Sequence, residues 1–166
     1  CNSVGGQPVS LENIRSVRKL CNQHHISMFI DGARFAENAY FIKIREKEFA
    51  NHSIKEIVKE IFSHSDGMTM SAKKDGIVNM GGFIALNNSK TYEICSNFAI
   101  MYEGFVTYGG MSGRDMGALS QGLTEGISFD YLQSRIRQVS YLGQRLDEFN
   151  IPVLKPKPSN LFCLSP

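Results

Sequence analysis

The stretch SAKKD, residues 71–75, lies between two apolar segments, MTM at residues 68–70 and IVNM at residues 77–80. Strand-like segments on both sides predict that the two lysines occupy a loop between strands. In such a loop one lysine amine can react with an aldehyde, while the second cation and the Ser71 hydroxyl hold an anion such as a phosphate. The alternative interpretation is a solvated loop with no chemical role.

The segment before this loop predicts an α/β arrangement. A helix capped by Ser10 carries apolar residues at helical spacing, and a short, mostly buried strand at residues 26–30 then ends at Asp31. In α/β folds the ligand crevice lies outside the carboxyl ends of parallel strands. Asp31 is therefore expected beside the lysine loop, although the same residue could instead cap the helix that follows it.

The middle of the chain supplies a second helix and two more strands. Ser53 and Glu56 form a capping box, which predicts a helix with one apolar face (Ile54, Ile57, Val58, Ile61 and Phe62). Residues 68–70 form the strand that leads into the lysine loop. Residues 77–86 predict a further strand that bends at the glycine pair 81–82.

The last third of the chain is predicted to be mainly helical. Helices are expected at residues 92–101 and 114–123, with a loop at 104–110 between them and the one plausible hinge between residues 101 and 113. The clearest helix is capped by Asp130 and carries an apolar stripe, with Arg135 mostly off that stripe (Leu132, Ile136, Val139, Leu142, Leu146 and Phe149). Two short strands are expected at residues 151–154 and 161–164.

Composition limits the possible functions. The chain has 166 residues and a net charge of +2, which fits one domain and calls for neither nucleic acid nor an acidic membrane as partner. No apolar run approaches the ~18 residues of a membrane span, and the first residues do not form a signal peptide. The four cysteines are widely separated, which favours a reduced, cytoplasmic protein over a zinc site or a disulfide framework. Both ends are expected to be cut from a longer chain.

The residues that bear chemistry fit the needs of pyridoxal phosphate. Such an enzyme needs a lysine amine for the aldehyde, a carboxylate for the pyridine nitrogen and a hydrogen-bond donor for the phenolic oxygen. Lys74, Asp31 and either Arg34 or Asn2 could supply these groups. The adjacent His24 and His25 point in different directions and make a poor pair of metal ligands.

Five blocks of sequence resemble the β-eliminating lyases, the family of tryptophanase and tyrosine phenol-lyase. The blocks are NSVGGQPVS at 2–10, DGARFAENAYFIK at 31–43, MSAKKD at 70–75, YEGFVTYGG at 102–110 and GRDM at 113–116. The resemblance covers nearly the whole chain but only the middle of the family's longer chain. It implies an α/β fold in which residues 1–166 are an incomplete large domain of the aspartate-aminotransferase type (fold type I), with 151–166 beginning the next segment.

The resemblance also assigns roles to individual residues. It implies that Lys74 carries the pyridoxal phosphate and acts as the base at the substrate α-carbon, that Asp31 pairs with the pyridine nitrogen, and that Arg34 and Asn2 face the phenolic oxygen. Two further residues, Ser71 and Lys73, are expected near the phosphate. The family also uses a potassium ion, which maps to the backbone carbonyl of Asn79.

The resemblance further implies an amino-acid substrate and a homotetramer in the cytoplasm. The pairs Phe35-Ala36 and Ser71-Ala72, with the 104–107 segment, favour tryptophanase over tyrosine phenol-lyase. Where relatives have Gly-Gly-His, this chain has Pro-Ser-Asn at 158–160. An aminotransferase is disfavoured by the 34–43 block. The remaining alternative is that these 166 residues alone are a non-catalytic remnant.

Overall fold

The computed structural model describes residues 7–153, so Asn2, Leu154 and the predicted strand at 161–164 lie outside the described residues. The elements are α1 (Leu11–Gln23), β1 (Phe29–Asp31), α2 (Phe35–Arg45), a 3₁₀ turn (Lys47–Phe49), α3 (Ile54–Ser63), β2 (Gly67–Ser71), β3 (Gly82–Leu86), α4 (Ser89–Tyr102), α5 (Gly113–Glu125) and α6 (Phe129–Glu148). The α/β class is confirmed. Within residues 7–153, no helix is long and apolar enough to cross a membrane.

The described strands form one sheet in the order β1-β2-β3. β1 and β2 are parallel, with Asp31 opposite Thr69, whereas β2 and β3 are antiparallel, with Ser71 opposite Gly82. A parallel pair needs a long crossover, and α2 and α3 provide it. The carboxyl ends of β1 and β2 therefore lie at the same edge of the sheet, as the sequence predicts.

β1 is shorter and more exposed than predicted. Phe29 is 49% exposed. The preceding residue, Met28, forms two hydrogen bonds with Asp66: the Met28 amide donates to the Asp66 carboxylate at 2.8 Å, and the Asp66 amide donates to the Met28 carbonyl at 2.8 Å. Met28 is therefore bonded to the residue that precedes β2, and the strand itself begins at Phe29.

The strand predicted at 77–86 is also shorter, because it begins only at Gly82. Ile77 adopts a φ of 54°, in the left-handed region that β-branched residues rarely occupy. The backbone leaves the extended conformation there, directly after the lysine loop.

α2 is the centre of the core, between α3 and α6. Its sequence pattern is mixed because the helix buries residues around most of its circumference (Ala36, Asn38, Ala39, Tyr40, Phe41 and Ile42). Leu132 and Ile136 of α6 join this core, but Leu142 and Phe149 are largely exposed. The predicted stripe of α6 is therefore buried only in its first half.

Two smaller sequence predictions are wrong. Ser128, not Asp130, occupies the N-cap position of α6, and Asp130 lies in the first turn, where its negative charge favours the helix dipole. Residues 151–153 form no strand. By contrast α4 extends beyond its predicted bounds, with the Asn88 side chain accepting a hydrogen bond from the Thr91 amide, although none of its residues is buried.

The capping box at the start of α3 is confirmed. The Ser53 hydroxyl accepts from the Glu56 amide at 3.2 Å, and the Glu56 carboxylate accepts from the Ser53 amide at 2.7 Å. Replacing Ser53 with alanine leaves an end amide of the helix without its side-chain acceptor. We expect the free energy of unfolding to fall by about 1 kcal/mol, measured by urea denaturation. Ser63→Ala, at the other end of the same helix, is the control, and an equal loss in both variants would contradict this account.

Candidate functional site

The loops after β1 and β2 are joined by backbone hydrogen bonds at the carboxyl edge of the sheet. The Gly32 amide donates to the Thr69 carbonyl at 2.7 Å, and the Asp75 amide donates to the Ala33 carbonyl at 3.2 Å. These bonds bring the Asp31–Arg34 segment and the lysine loop side by side.

The predicted site residues differ in their exposure to solvent. Asp31 and Lys73 are exposed, whereas Ser71 and Lys74 are half-buried. Within residues 7–153, neither lysine forms an ion pair with a carboxylate. Lys74 thus presents an amine that is partly shielded from water and not engaged by an acid.

Asp31 closes a tight local turn. Its Oδ1 accepts from the Ala33 amide at 3.0 Å. Arg34 occupies the N-cap position of α2, and its side chain makes no capping hydrogen bond. The alternative that Asp31 caps α2 is therefore wrong.

Arg34 is buried at the start of α2. It is 7% exposed, and its Nη1 lies 3.0 Å from Oε2 of Glu37. The potassium candidate Asn79 lies exposed in the segment before β3. Among the residues of the described range, no group of three His, Cys, Asp or Glu side chains could hold a metal ion.

The first-turn amides of α2 are capped by Asp75, a residue of the lysine loop. This side chain is only 1% exposed, and its Oδ2 accepts from the Ala36 amide at 2.8 Å and from the Glu37 amide at 3.0 Å. Free amides at a helix N-terminus favour a negative charge, which accounts for the position of this carboxylate. The contact fixes the lysine loop on the helix that follows Asp31.

Arg135 of α6 joins two acidic side chains of this region. Its Nε lies 2.8 Å from Oε1 of Glu37, and its Nη1 lies 3.7 Å from Oδ1 of Asp75 and 3.3 Å from the Tyr131 hydroxyl. Glu37 in turn pairs with Arg34. We call Arg34, Glu37, Arg135 and Asp75 the charge network.

Sequence reasoning missed this network. Arg135 was expected off the apolar stripe of α6, and Asp75 was grouped with the lysines as part of their loop. One signal was available, since Glu37 stands just before the apolar residues 39–42 of α2, and a carboxylate near the core needs a cation. Which cation it finds depends on how α6 packs on α2.

The surroundings of Asp75 change its ionisation. Burial, together with the nearby charge of Glu37, raises the pKa of Asp75 from its usual 3.8 to about 6. The two α2 amides and the Arg135 guanidinium act in the opposite direction and do not compensate fully. The carboxylate is therefore ionised at neutral pH but close to its titration range.

Asp75→Asn tests this ionisation. Between pH 3.8 and about 6 the folded state holds more protons on Asp75 than the unfolded state, so the stabilising effect of the protonated group is complete at low pH and is lost as the pH rises through 6. Asparagine does not titrate, so the variant keeps its stability while wild type loses stability as the pH rises. The free energy of unfolding of the variant minus that of wild type should therefore rise by about 3 kcal/mol from about pH 3.5 to about pH 7.

The measurement is urea denaturation of both proteins across that pH range. Asp130→Asn, at an exposed position of α6, is the control and should show no such trend. A difference between Asp75→Asn and wild type that stays constant with pH would contradict the prediction.

The lysine loop is also packed tightly against α5. A Cβ built on Gly122 would come well inside 3.0 Å of the Gly76 carbonyl oxygen, which is closer than real Cβ atoms come to other atoms. A Cβ built on Gly126 would meet the Asp75 carbonyl oxygen in the same way. The backbone of α5 therefore touches the backbone of the loop. This contact limits the space into which the loop could shift.

The donor set at this edge fits pyridoxal phosphate. The cofactor presents an aldehyde, a ring nitrogen, a phenolic oxygen and a phosphate. Lys74 offers an amine that pairs with no carboxylate of residues 7–153, Asp31 an exposed carboxylate, Arg34 a guanidinium, and Ser71 with Lys73 a hydroxyl and a cation. Each chemical group of the cofactor thus has a residue of suitable type on one of the two loops.

Comparisons with known proteins agree with this chemistry. A sequence model of the family described as beta-eliminating lyase matches residues 1–155. The chain is 54% identical over 155 residues to a tryptophanase from Hyphomonas neptunium, covering 93% of this chain and 34% of that protein. It is 52% identical over the same length, with the same coverage, to a tyrosine phenol-lyase from Clostridium tetani.

A solved structure from Listeria monocytogenes, provisionally assigned as an L-allo-threonine aldolase, has the same fold. It superposes with a TM-score of 0.62 at 19% identity, covering 88% of this chain and 36% of that protein. The expected fold type I is confirmed by this likeness. The chain spans about a third of the length of the curated relatives it matches.

Proposed function

The chain belongs to the beta-eliminating lyase family, and from this premise we propose that its full-length protein is a pyridoxal-phosphate-dependent carbon–carbon lyase. The proposed reaction converts L-tryptophan and water to indole, pyruvate and ammonium. The observation that carries the proposal is the half-buried Lys74 amine, which follows β2 at the same sheet edge where β1 ends in Asp31.

In this proposal Lys74 and Asp31 do most of the chemical work. Bound pyridoxal phosphate would supply an electron sink for the carbanion that forms at the substrate α-carbon. Lys74 would hold the aldehyde group of the cofactor through Nζ, and the same amine would take the proton from the substrate α-carbon. The Asp31 carboxylate keeps the ring nitrogen protonated. Partial burial of Lys74 limits the access of water to its amine.

The other proposed residues hold and orient the cofactor. Arg34 donates to the phenolic oxygen, together with Asn2 from outside the described residues. Ser71 and Lys73 bind the phosphate, since a hydroxyl and an ammonium both suit a phosphate oxygen. The backbone carbonyl of Asn79 contributes to a potassium site.

Tryptophan is the preferred substrate in this proposal, on the basis of the Phe35-Ala36 and Ser71-Ala72 pairs. Tyrosine, with phenol as the leaving group, is the second candidate because the tyrosine phenol-lyase is nearly as similar as the tryptophanase. Assays of the full-length protein with each amino acid, following indole or phenol with pyruvate, separate the two. Residues 1–166 would be part of its large domain, within a cytoplasmic homotetramer.

The first experiment is on the 166-residue chain itself. Pyridoxal phosphate is added, the adduct is reduced with borohydride, and the added mass is located by peptide mapping. The proposal predicts a pyridoxyl group on Lys74 that disappears in Lys74→Ala and persists in Lys73→Ala. Absence of label, or label spread over many lysines, would favour the non-catalytic remnant for this chain.

A further inference from the structure

We propose that Asp75 and Arg135 are positioning residues, which act through the charge network to hold the Lys74 loop against the loop that carries Asp31 and Arg34. The inference deepens the proposed function, and it rests on that function for the role of Lys74. Neither Asp75 nor Arg135 would touch the substrate.

The first step of the argument is the position of the Asp75 carboxylate. Asp75 follows Lys74 in the sequence and is 1% exposed. One oxygen of its carboxylate accepts hydrogen bonds from two consecutive amides of α2. The Asp75 side chain thus joins the lysine loop to the first turn of α2, and its backbone amide joins the lysine loop to Ala33 in the loop before α2. Loss of the carboxylate would leave buried amides without partners and free the loop on that side.

The second step is that Arg135 stands between two acids. The guanidinium is 2.8 Å from Glu37 and 3.7 Å from Asp75, while Oδ1 of Asp75 has no hydrogen-bond partner among residues 7–153. Without Arg135 the two carboxylates would lie buried together with no cation between them, a strongly unfavourable state. The Nη1–Oδ1 separation is too long for a hydrogen bond, so Arg135 acts on Asp75 through its charge, which lowers the pKa of Asp75 less than the hydrogen bond from the Glu37 amide does.

The third step links Arg135 to Arg34. Glu37 contacts Arg34 with one carboxylate oxygen and Arg135 with the other, at 3.0 and 2.8 Å. The orientation of Glu37 is thus fixed from α6, and Glu37 in turn fixes the Arg34 guanidinium. A residue of α6, about 60 positions after the lysine, thereby sets the direction of a proposed cofactor-binding group.

Protonation of Asp75 would change this balance. The charged and titratable groups around it are Glu37 and Arg34 of α2, Arg135 and Tyr131 of α6, and Lys73 and Lys74 of its own loop. α5 meets the loop through Gly122 and Gly126. The network holds two cations and two anions when Asp75 is ionised, and it carries one uncompensated positive charge when Asp75 is protonated.

The closing experiment compares the 166-residue wild type with Asp75→Ala and Arg135→Lys, and uses Arg137→Ala on the exposed face of α6 as the control. Amide hydrogen exchange is followed at residues 35–37 and 72–77. We expect both segments to exchange at least about tenfold faster in each of the two network variants, because a single substitution in the network loosens both loops. The 82–86 strand and the Arg137→Ala variant should keep wild-type rates.

The second readout is the ratio of pyridoxyl label on Lys74 to that on Lys73. We expect this ratio to fall about tenfold or more in both network variants, since small displacements of a reacting group have large effects on rate. Because packing of the loop raises the pKa of Asp75, its protonation favours the packed loop, so the wild-type ratio divided by that of Asp75→Asn should rise as the pH is lowered through 6. A residue that stabilised only the global fold would not change how the label divides between Lys74 and Lys73 in the folded protein.

The outcomes separate the inference from the proposed function. Wild-type exchange rates and an unchanged labelling ratio in both network variants would overturn the inference while leaving the role of Lys74 intact. Faster exchange of both segments, with wild-type label that is not selective for Lys74, would support the network and overturn the cofactor role of that lysine.

Discussion

Replacing Lys74 with alanine is expected to lower kcat/KM of the full-length protein toward its amino-acid substrate by about 10,000-fold or more. In the proposed function the variant would lose both the amine that holds the aldehyde and the base that takes the α-proton, and a positioned base alone contributes up to about 10⁴-fold. Lys74→Arg should fail as well, because a guanidinium stays protonated and offers no neutral amine. The measurement is pyruvate release at saturating pyridoxal phosphate.

The neighbouring lysine is the matched control for this prediction. Lys73 is exposed, and in the proposal it serves the phosphate, so Lys73→Ala should weaken cofactor affinity and leave most of the activity at saturating cofactor. If Lys74→Ala retained activity while Lys73→Ala lost it, the two roles would have to be exchanged.

Gly122→Ala is expected to lower the free energy of unfolding by more than about 3 kcal/mol. Inserted groups in a packed region usually cost about 1–3 kcal/mol, and here the new methyl would meet a backbone carbonyl that no side-chain rotation can move. Either α5 or the lysine loop must shift, and a shift of the loop would also reduce selective labelling of Lys74. Urea denaturation and peptide mapping measure the two effects.

Gly117, in the same helix, provides the matched control. A Cβ at this position has nothing within 4 Å, so Gly117→Ala should stabilise the protein by up to about 1 kcal/mol through helix propensity alone. Equal and small effects of the two alanines would show that α5 does not press on the loop.

Local patterns predicted the parts of the fold that depend on neighbours in sequence. Ser53 with Glu56 identified the start of α3, and the apolar residues before Asp31 and Ser71 placed both at strand ends. The side-by-side position of the two loops followed from one general property of parallel sheets. These features need only local hydrogen bonding and the direction of the strands.

The features that depend on tertiary packing were missed. The N-terminus of α2 is capped from a loop almost 40 residues away, and no local pattern points to Asp75 as that cap. Arg135 was placed off the apolar stripe, yet its helix turns it towards Glu37. In the same way, the exposure of Leu142 and Phe149 in the second half of the α6 stripe depends on what packs against the helix, which the sequence of the helix does not show.

The function was reached by resemblance, because acid and lysine spacing alone is compatible with many loops. The family is confirmed by the match over residues 1–155. Substrate choice between indole and phenol as leaving group stays a prediction, since relatives of both kinds are similar to nearly the same degree.

The order of synthesis has a consequence for the charge network. A ribosome releases Asp75 and its lysine neighbours about 60 residues before it releases Arg135, which at typical translation rates is a delay of roughly 3–12 s. During that interval Glu37 and Asp75 have no Arg135 to offset their repulsion, so desolvating them together is unfavourable. The nascent chain can pair β1 with β2 early, but the lysine loop reaches its final position only after α6 has emerged and docked.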